Sequence, residues 1–167
     1  GTPMFLVNVI KLLKVFPEVY VSSDCIKMLK QAEELGAKGI YRNEDMCGDV
    51  PNIPVYQYCM KEMGDVDGIV AVQSCSPNVA EKLLVTTRGL LELGFKEVMT
   101  CHPLEHLPKY HDQNSKIYGS IWAVSKERLL TYKDPYKPTP EVLLVDTSED
   151  IHYYDDYDMA VRNAIHN

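Results

Sequence analysis

The sequence predicts an α/β fold: a mostly parallel sheet with helices on both faces, arranged as three layers, α/β/α. Three observations carry this. Short β-rich apolar runs alternate with helix-periodic segments along the chain. The run Asp67-Gly68-Ile69-Val70-Ala71-Val72-Gln73 is almost continuously apolar, as expected of a strand covered on both faces. The spacing of the elements suits βαβ units joined by right-handed crossovers.

Taken in order, Thr2-Pro3 offers an N-cap with proline at the first helical position, where its missing N–H costs nothing. Leu6, Val9, Ile10 and Leu13 then keep helical spacing to about Val15. Residues 19–23 read as a strand, and Asp24 can cap a helix whose Ile26, Leu29, Ala32 and Leu35 share a face. Gly36 supplies a left-handed exit, residues 38–41 form a second strand, and 42–52 a polar loop. A helix over 55–63 precedes the strand at 67–73. Ser76-Pro77-Asn78 turns into a helix carrying Val79, Leu83, Leu84, Thr87, Leu90 and Leu91, which ends at Gly94. Strands at 97–101 and 117–124 flank a polar segment with Pro103 and Pro108. A short helix from Ser125, a linker with Pro135, Pro138 and Pro140, a strand at 142–145 and an acidic helix capped by Thr147 complete the pattern. There is no internal repeat, and residues 1–167 read as a single domain.

Composition narrows the function. The net charge of −7 argues against a surface built for nucleic acid. No run approaches the roughly 20 apolar residues that span a bilayer, and no basic-then-apolar leader pattern opens the sequence. The five cysteines show no CxxC spacing, so reduced thiols in a cytoplasmic protein are expected.

In a parallel sheet, ligands bind at the C-terminal strand ends, and the loops there are the least generic part of the sequence. Val21-Ser22-Ser23-Asp24 resembles the Val-Ser-Thr-Asp segment of the acylneuraminate cytidylyltransferases, the CMP–sialic acid synthetases. Arg42-Asn43-Glu44-Asp45-Met46-Cys47-Gly48-Asp49 is similar to that family's Arg-Pro-x-x-Leu-x-x-Asp, with Asn43 in place of proline. Gln73-Ser74-Cys75-Ser76-Pro77-Asn78-Val79 resembles Gln-Pro-Thr-Ser-Pro-Leu-Arg, with Val79 in place of the arginine. Ile117-Tyr118-Gly119-Ser120-Ile121-Trp122 resembles the Asn-Gly-Ala-Ile-Tyr strand, and Leu144-Val145-Asp146-Thr147-Ser148-Glu149-Asp150 resembles Asp-Ile-Asp-Thr-x-Glu-Asp. Five motifs in the family's order cover nearly the whole chain.

The resemblance implies a Rossmann-like nucleotidyltransferase sheet. It also implies transfer of CMP from CTP, with Mg²⁺, to a sialic-acid-like 2-keto acid sugar with release of pyrophosphate, by a homodimer. Charge builds on the phosphoryl oxygens in such a transfer, so cationic and N–H partners are needed. By position, Arg42, Asp49 and Ser76 would contact the nucleotide, Gln73 and Lys109 the sugar acid, and Asp146 the metal as the catalytic carboxylate. The family's Arg-Gly-Gly-Ser-Lys-type loop and first strand have no counterpart here. Gly1-Thr2-Pro3-Met4 matches the segment just after them, so about 20–30 further residues are expected upstream, and the chain as it stands is expected to be inactive. Leu144 replaces the first aspartate of the metal pair. A catalytically silent binding or assembly module, and a nucleotidyltransferase for another sugar or alditol phosphate, are the alternative readings.

Each residue also has a plainer role. Arg42 and Asp49 can form an incidental loop ion pair, Gln73 can staple a loop, and Asp146 can enter a helix cap. Cys101, His102, His106 and His111 match no zinc-finger spacing, and Pro103 and Pro108 break the helix that would align them. Cys75 reads as a small buried residue, and Tyr153, Tyr154 and Tyr157 as packing on the sheet or on a partner.

Overall fold

The computed structural model describes residues 1–103 and 118–166. Helix α1 (Met4–Val15) leads through β1 (Tyr20–Ser23) and α2 (Ile26–Glu34) to β2 (Lys38–Tyr41). A 3-10 turn (Glu44–Met46) precedes α3 (Asn52–Met63), β3 (Gly68–Val72), α4 (Glu81–Glu92) and β4 (Glu97–Cys101). Then come β5 (Tyr118–Ser125), α5 (Lys126–Thr131), β6 (Val142–Val145) and α6 (Tyr154–His166). Strands β1 and β2 pair in parallel as a two-stranded sheet, and the other four form a sheet in the order β3-β5-β4-β6.

The α/β fold with a parallel-rich sheet is the one expected. β3, β4 and β6 share one direction, and β5 alone opposes it, antiparallel to both β3 and β4. The sequence pattern places a strand there without fixing its direction. Successive β5 residues face opposite sides, and the cores follow that alternation. Trp122 and Val124 pack with Ile53 and Met60 of α3 and Leu129 of α5. Ile121 packs on the other face with Leu84 of α4 and Leu12 of α1. Helices therefore cover both faces.

Several boundaries move for local reasons. α3 starts at Asn52, ahead of the predicted start, and admits Pro54 in its first turn, where the N–H has no intrahelical partner to lose. α2 buries only Leu29 and Ala32 of its predicted face, and Ile26 and Leu35 are exposed. Its N-cap is Cys25 rather than Asp24, and the Ser23 hydroxyl accepts the Cys25 N–H at 3.1 Å. Gly36 does take the left-handed conformation expected, with φ +99°. Thr147 does not start the last helix. α6 begins at Tyr154, and Asp156 accepts the N–H groups of His152 and Tyr153 at 3.1 and 2.9 Å. Tyr153, Tyr154 and Tyr157 are exposed.

β3 is half-buried throughout, although its sequence is that of a fully covered strand. Among the described residues, its outer edge has no strand beside it, nor does the free edge of β1. Between them lies a cavity of about 660 Å³, walled by Leu12, Phe16, Tyr20, Met63, Ile69 and Val70 among others. α1 runs back along this slot. Asn8 on α1 reaches the backbone just beyond the C-terminal end of β3, and Phe16, just past the helix, lines the slot beside Gly68.

A polar cluster inside the core centres on Glu97, the fully buried first residue of β4. Its carboxylate accepts the Trp122 indole N–H at 2.9 Å, the Arg128 guanidinium at 3.1 Å and the Tyr132 hydroxyl. Trp122 packs between Tyr56 and Tyr132, with ring centroids 5.2 and 6.0 Å away. The cluster ties α3, β4, β5 and α5 together. Replacing the carboxylate in Glu97→Gln removes charge-assisted hydrogen bonds and sets an amide N–H against donors. It is expected to destabilise the fold by about 1–3 kcal/mol, read as a fall in the urea midpoint at unchanged m-value.

Candidate functional site

The C-terminal ends of β3, β4 and β6 and the start of β5 meet at one end of the larger sheet. A pocket of about 350 Å³ opens there, lined by Gln73, Gly119, Trp122, Tyr56, Asn52 and Tyr136 among others. Its walls are mainly aromatic and apolar with a few polar groups, the usual make-up of a small-molecule site.

Gln73 is fixed by its backbone. Its N–H extends the ladder to the Ser120 carbonyl at 2.9 Å, and its carbonyl accepts the Asn8 amide at 3.0 Å. The same Asn8 amide donates to the Ser76 carbonyl at 3.0 Å, and the Lys11 ammonium caps the Pro77 and Val79 carbonyls at 2.6 and 3.0 Å. Ser76 itself is buried and lies outside the pocket lining. α1 thus staples the loop 73–79 from below. A lone asparagine in an apolar helix was the available signal for this role, since a buried amide must find partners.

Arg42 follows β2, and its N–H bonds the Ser23 carbonyl at 3.0 Å. The guanidinium reaches the Met46 carbonyl at 3.4 Å, but its Nε is buried and has no acceptor. It stands close enough to Tyr56 for its charge to oppose the upward shift of that phenol. Burial dominates, and pushes the Tyr56 hydroxyl to about 12. Asp49 is exposed on the same loop and does not line the pocket. Lys109, like His106 and His111, lies outside the described residues.

Asp146, just past β6, is fully buried. Oδ2 accepts Thr100 Oγ at 3.0 Å, the Ser120 N–H at 2.8 Å and the Ser120 hydroxyl, and Oδ1 accepts the Ser148 N–H at 2.8 Å. Burial pushes this carboxyl up, but the hydrogen bonds from Ser120 and Ser148 outweigh it and hold the group below the usual carboxylate range. The donor count bears on a cation. Oδ2 is filled, Oδ1 keeps one lone pair, and position 144 offers a leucine. The one free lone pair meets the low carboxylate demand of Mg²⁺, but the side chain is closed off from solvent and does not line the pocket. These groups do not make a two-carboxylate cradle.

Cys75 lies half-buried in the loop after β3, and its thiol is pushed up to about 12 by burial and then by the Asp150 carboxylate. It is a thiol rather than a nucleophilic thiolate at neutral pH. All five cysteines are free, and no helix among the described residues is long and apolar enough to cross a membrane.

No protein-family model matches the sequence, and no curated protein matches it. Solved structures do. A CMP:2-keto-3-deoxy-manno-octonic acid synthetase complexed with CTP superposes with a TM-score of 0.69 at 15% identity, over 99% of this chain and 88% of that one. The chain has the nucleotidyltransferase fold. A 4-diphosphocytidyl-2C-methyl-D-erythritol synthase from Anaerococcus prevotii gives 0.71 at 15% identity, over 99% and 87%. The bifunctional IspDF from Campylobacter jejuni gives 0.57 at 13% identity, over 81% and 38%. Identities this low show the fold alone.

Two outcomes test the Asp146 cradle. A Cβ at Gly119 would sit 2.6 Å from Thr100 Oγ and 2.7 Å from Asp146 Oδ2, so Gly119→Ala should displace the carboxylate. The expected cost is about 1–3 kcal/mol, measured by urea unfolding. The second outcome is a pH dependence. Because the folded-state pKa is depressed, the Asp146 contribution is complete above the unfolded value of about 3.9 and is lost as pH falls through the folded value. The stability gap between the wild type and Asp146→Asn should therefore narrow over that acid range in paired unfolding curves.

Proposed function

We propose that this protein transfers the cytidylyl group of CTP to a sialic-acid-like 2-keto acid sugar. The sugar hydroxyl oxygen bonds the α-phosphorus and loses its proton, while the α–β phosphoanhydride bond breaks and pyrophosphate leaves. The observation that carries the reading is the Gln73-lined pocket at the C-terminal strand ends of a fold shared with a synthetase bound to CTP. The unpaired Arg42 Nε supports it, since a buried guanidinium N–H without an acceptor suits a phosphate or nucleobase oxygen. Gln73 hydrogen-bonds the sugar acid in this scheme, with Lys109 its cationic partner, and Asp49 and Ser76 shape the nucleotide loops. Mg²⁺ enters with CTP and neutralises phosphate charge.

The reading includes a further strand. The slot between β1 and β3 presents two edges unpaired among the described residues and an apolar floor, which suits one extended segment. The start of α1 lies toward the C-terminal end of β3, so a strand entering ahead of Gly1 would turn into α1 beside Gln73. That turn would supply the N–H groups a triphosphate needs. The complete protein is a cytoplasmic homodimer in this reading.

An alditol phosphate acceptor is the second reading, favoured by the equally good superposition on the erythritol synthase. Leu144 and the filled Oδ2 favour a third, a module that binds without turnover.

The deciding experiment measures pyrophosphate release from CTP and Mg²⁺ with 2-keto acid sugars and alditol phosphates. The gene-encoded chain with any residues ahead of Gly1 is compared with the 167-residue chain. Release is expected only from the longer chain and only with sugar acids. Arg42→Ala should weaken CTP binding at least about tenfold, the loss of one charge-assisted bond. Gln73→Ala should raise the sugar KM and leave CTP affinity unchanged. No release with any acceptor, together with no CTP heat in calorimetry, would overturn the reading.

A further inference from the structure

Outside the pocket, three metal-binding side chains of different chemistry converge from two loops. Cys75 comes from the loop after β3, and Asp150 and His152 from the segment between β6 and α6. Their nearest donor atoms, Sγ, a carboxylate oxygen and an imidazole nitrogen, all lie within 4.8 Å of one another. His152 Nε2 is already 2.8 Å from Asp150 Oδ2.

The two loops are buckled beneath these donors. The Ile151 N–H bonds the Cys75 carbonyl at 2.8 Å. One step further out, Asn78 and Glu149 exchange two bonds: the Glu149 N–H to Asn78 Oδ1 at 2.9 Å, and Asn78 Nδ2 to Glu149 Oε2 at 3.2 Å. The start of α6 anchors the other side, where the His152 N–H meets Asp156. Hydrogen bonds between and beside the two loops therefore bring the donors together without help from an ion.

We propose that Cys75, Asp150 and His152 form a binding site for a zinc-class divalent cation, with a fourth position open to water or ligand. Zinc bonds sulfur at about 2.3 Å and nitrogen or oxygen at about 2.0–2.2 Å, which places tetrahedral donors about 3.3–3.8 Å apart. The observed spread of up to 4.8 Å closes to that by rotamer adjustment of side chains on an exposed loop. The donor set selects the ion. Binding releases the Cys75 proton to solvent, and the resulting thiolate with an imidazole suits Zn²⁺ or Co²⁺, whereas Mg²⁺ takes hard oxygen ligands and holds its waters. Three protein ligands with one open position is the arrangement of reactive rather than closed structural zinc.

The site is separate from Asp146 and does not depend on the CTP reading. Its position gives it a consequence for that pocket all the same. Cys75 is two residues beyond Gln73, so a bound ion pins the loop 73–79 to the entrance of α6. Occupancy would set how freely Gln73 moves.

The test is a titration of chelator-stripped, reduced protein with Co²⁺, followed by absorption. One equivalent should produce a thiolate-to-cobalt charge-transfer band with tetrahedral ligand-field bands. Zn²⁺ should displace it, and excess Mg²⁺ should not. Cys75→Ser should abolish the charge-transfer band, and Cys101→Ser should keep it. Asp150 and His152 are exposed, so Asp150→Asn and His152→Gln should melt like the wild type and bind Co²⁺ at least about tenfold more weakly. Absence of the band in the wild type, its survival in Cys75→Ser, or unchanged affinity in both loop variants would overturn the site.

Discussion

Four hydrogen bonds converge on the carboxylate of Asp146, and the functional end of the sheet takes its shape from them. They come from β4, from β5 and from the backbone just beyond β6, so one buried side chain registers three segments against each other. A buried carboxylate is tolerable only when its lone pairs are met, and here three of the four are. Gly119 leaves room for it, and Ser120 both holds it and accepts the Gln73 N–H on its carbonyl. The pocket wall and the carboxylate are therefore a single unit. The protein spends on internal order a group that a two-carboxylate metal site would leave open.

Much of this was legible in the sequence, for identifiable reasons. The alternation of apolar runs with helical periods gave the elements, because periodicity reports which faces are buried. A short helix from Ser125 and Gly36 as an exit followed from local chemistry and hold in the structure, where Ser125 proves to be the helix cap. The direction of β5 was not legible, because strand pairing is a long-range property that no run of eight residues encodes. Thr147 misled, since a good cap sequence forms no helix when the aspartate before it is engaged elsewhere. Among the site residues, Gln73 stands in the pocket and Arg42 near Tyr56, whereas Ser76 and Asp49 do not line it. The stapling role of Asn8 and the hydroxyl of Thr100 belong to tertiary contacts, visible beforehand only as polar residues in apolar company.

The half-buried state of β3 links the fold to its function. A strand with that sequence covers itself on both sides and both edges when it can, yet one edge opens onto an apolar slot. α1 forms the floor of the slot and also carries the asparagine and lysine that hold the loop 73–79. Anything that seats or shifts α1 is thus felt at Gln73. The same loop is held from its far side by the segment leading into α6, so the pocket mouth lies between two supports that can tighten independently.

Trp122 gives the molecule one more property. It is the only tryptophan in the chain, it is buried, and one side of it faces the pocket while its indole N–H is fixed to Glu97. Its emission therefore comes from one rigid, dry environment whose polarity changes when something enters the pocket or when the Glu97 cluster opens. The protein carries its own optical probe at the junction of core and cleft. Ligand entry and loss of packing can be followed in the same signal without a label.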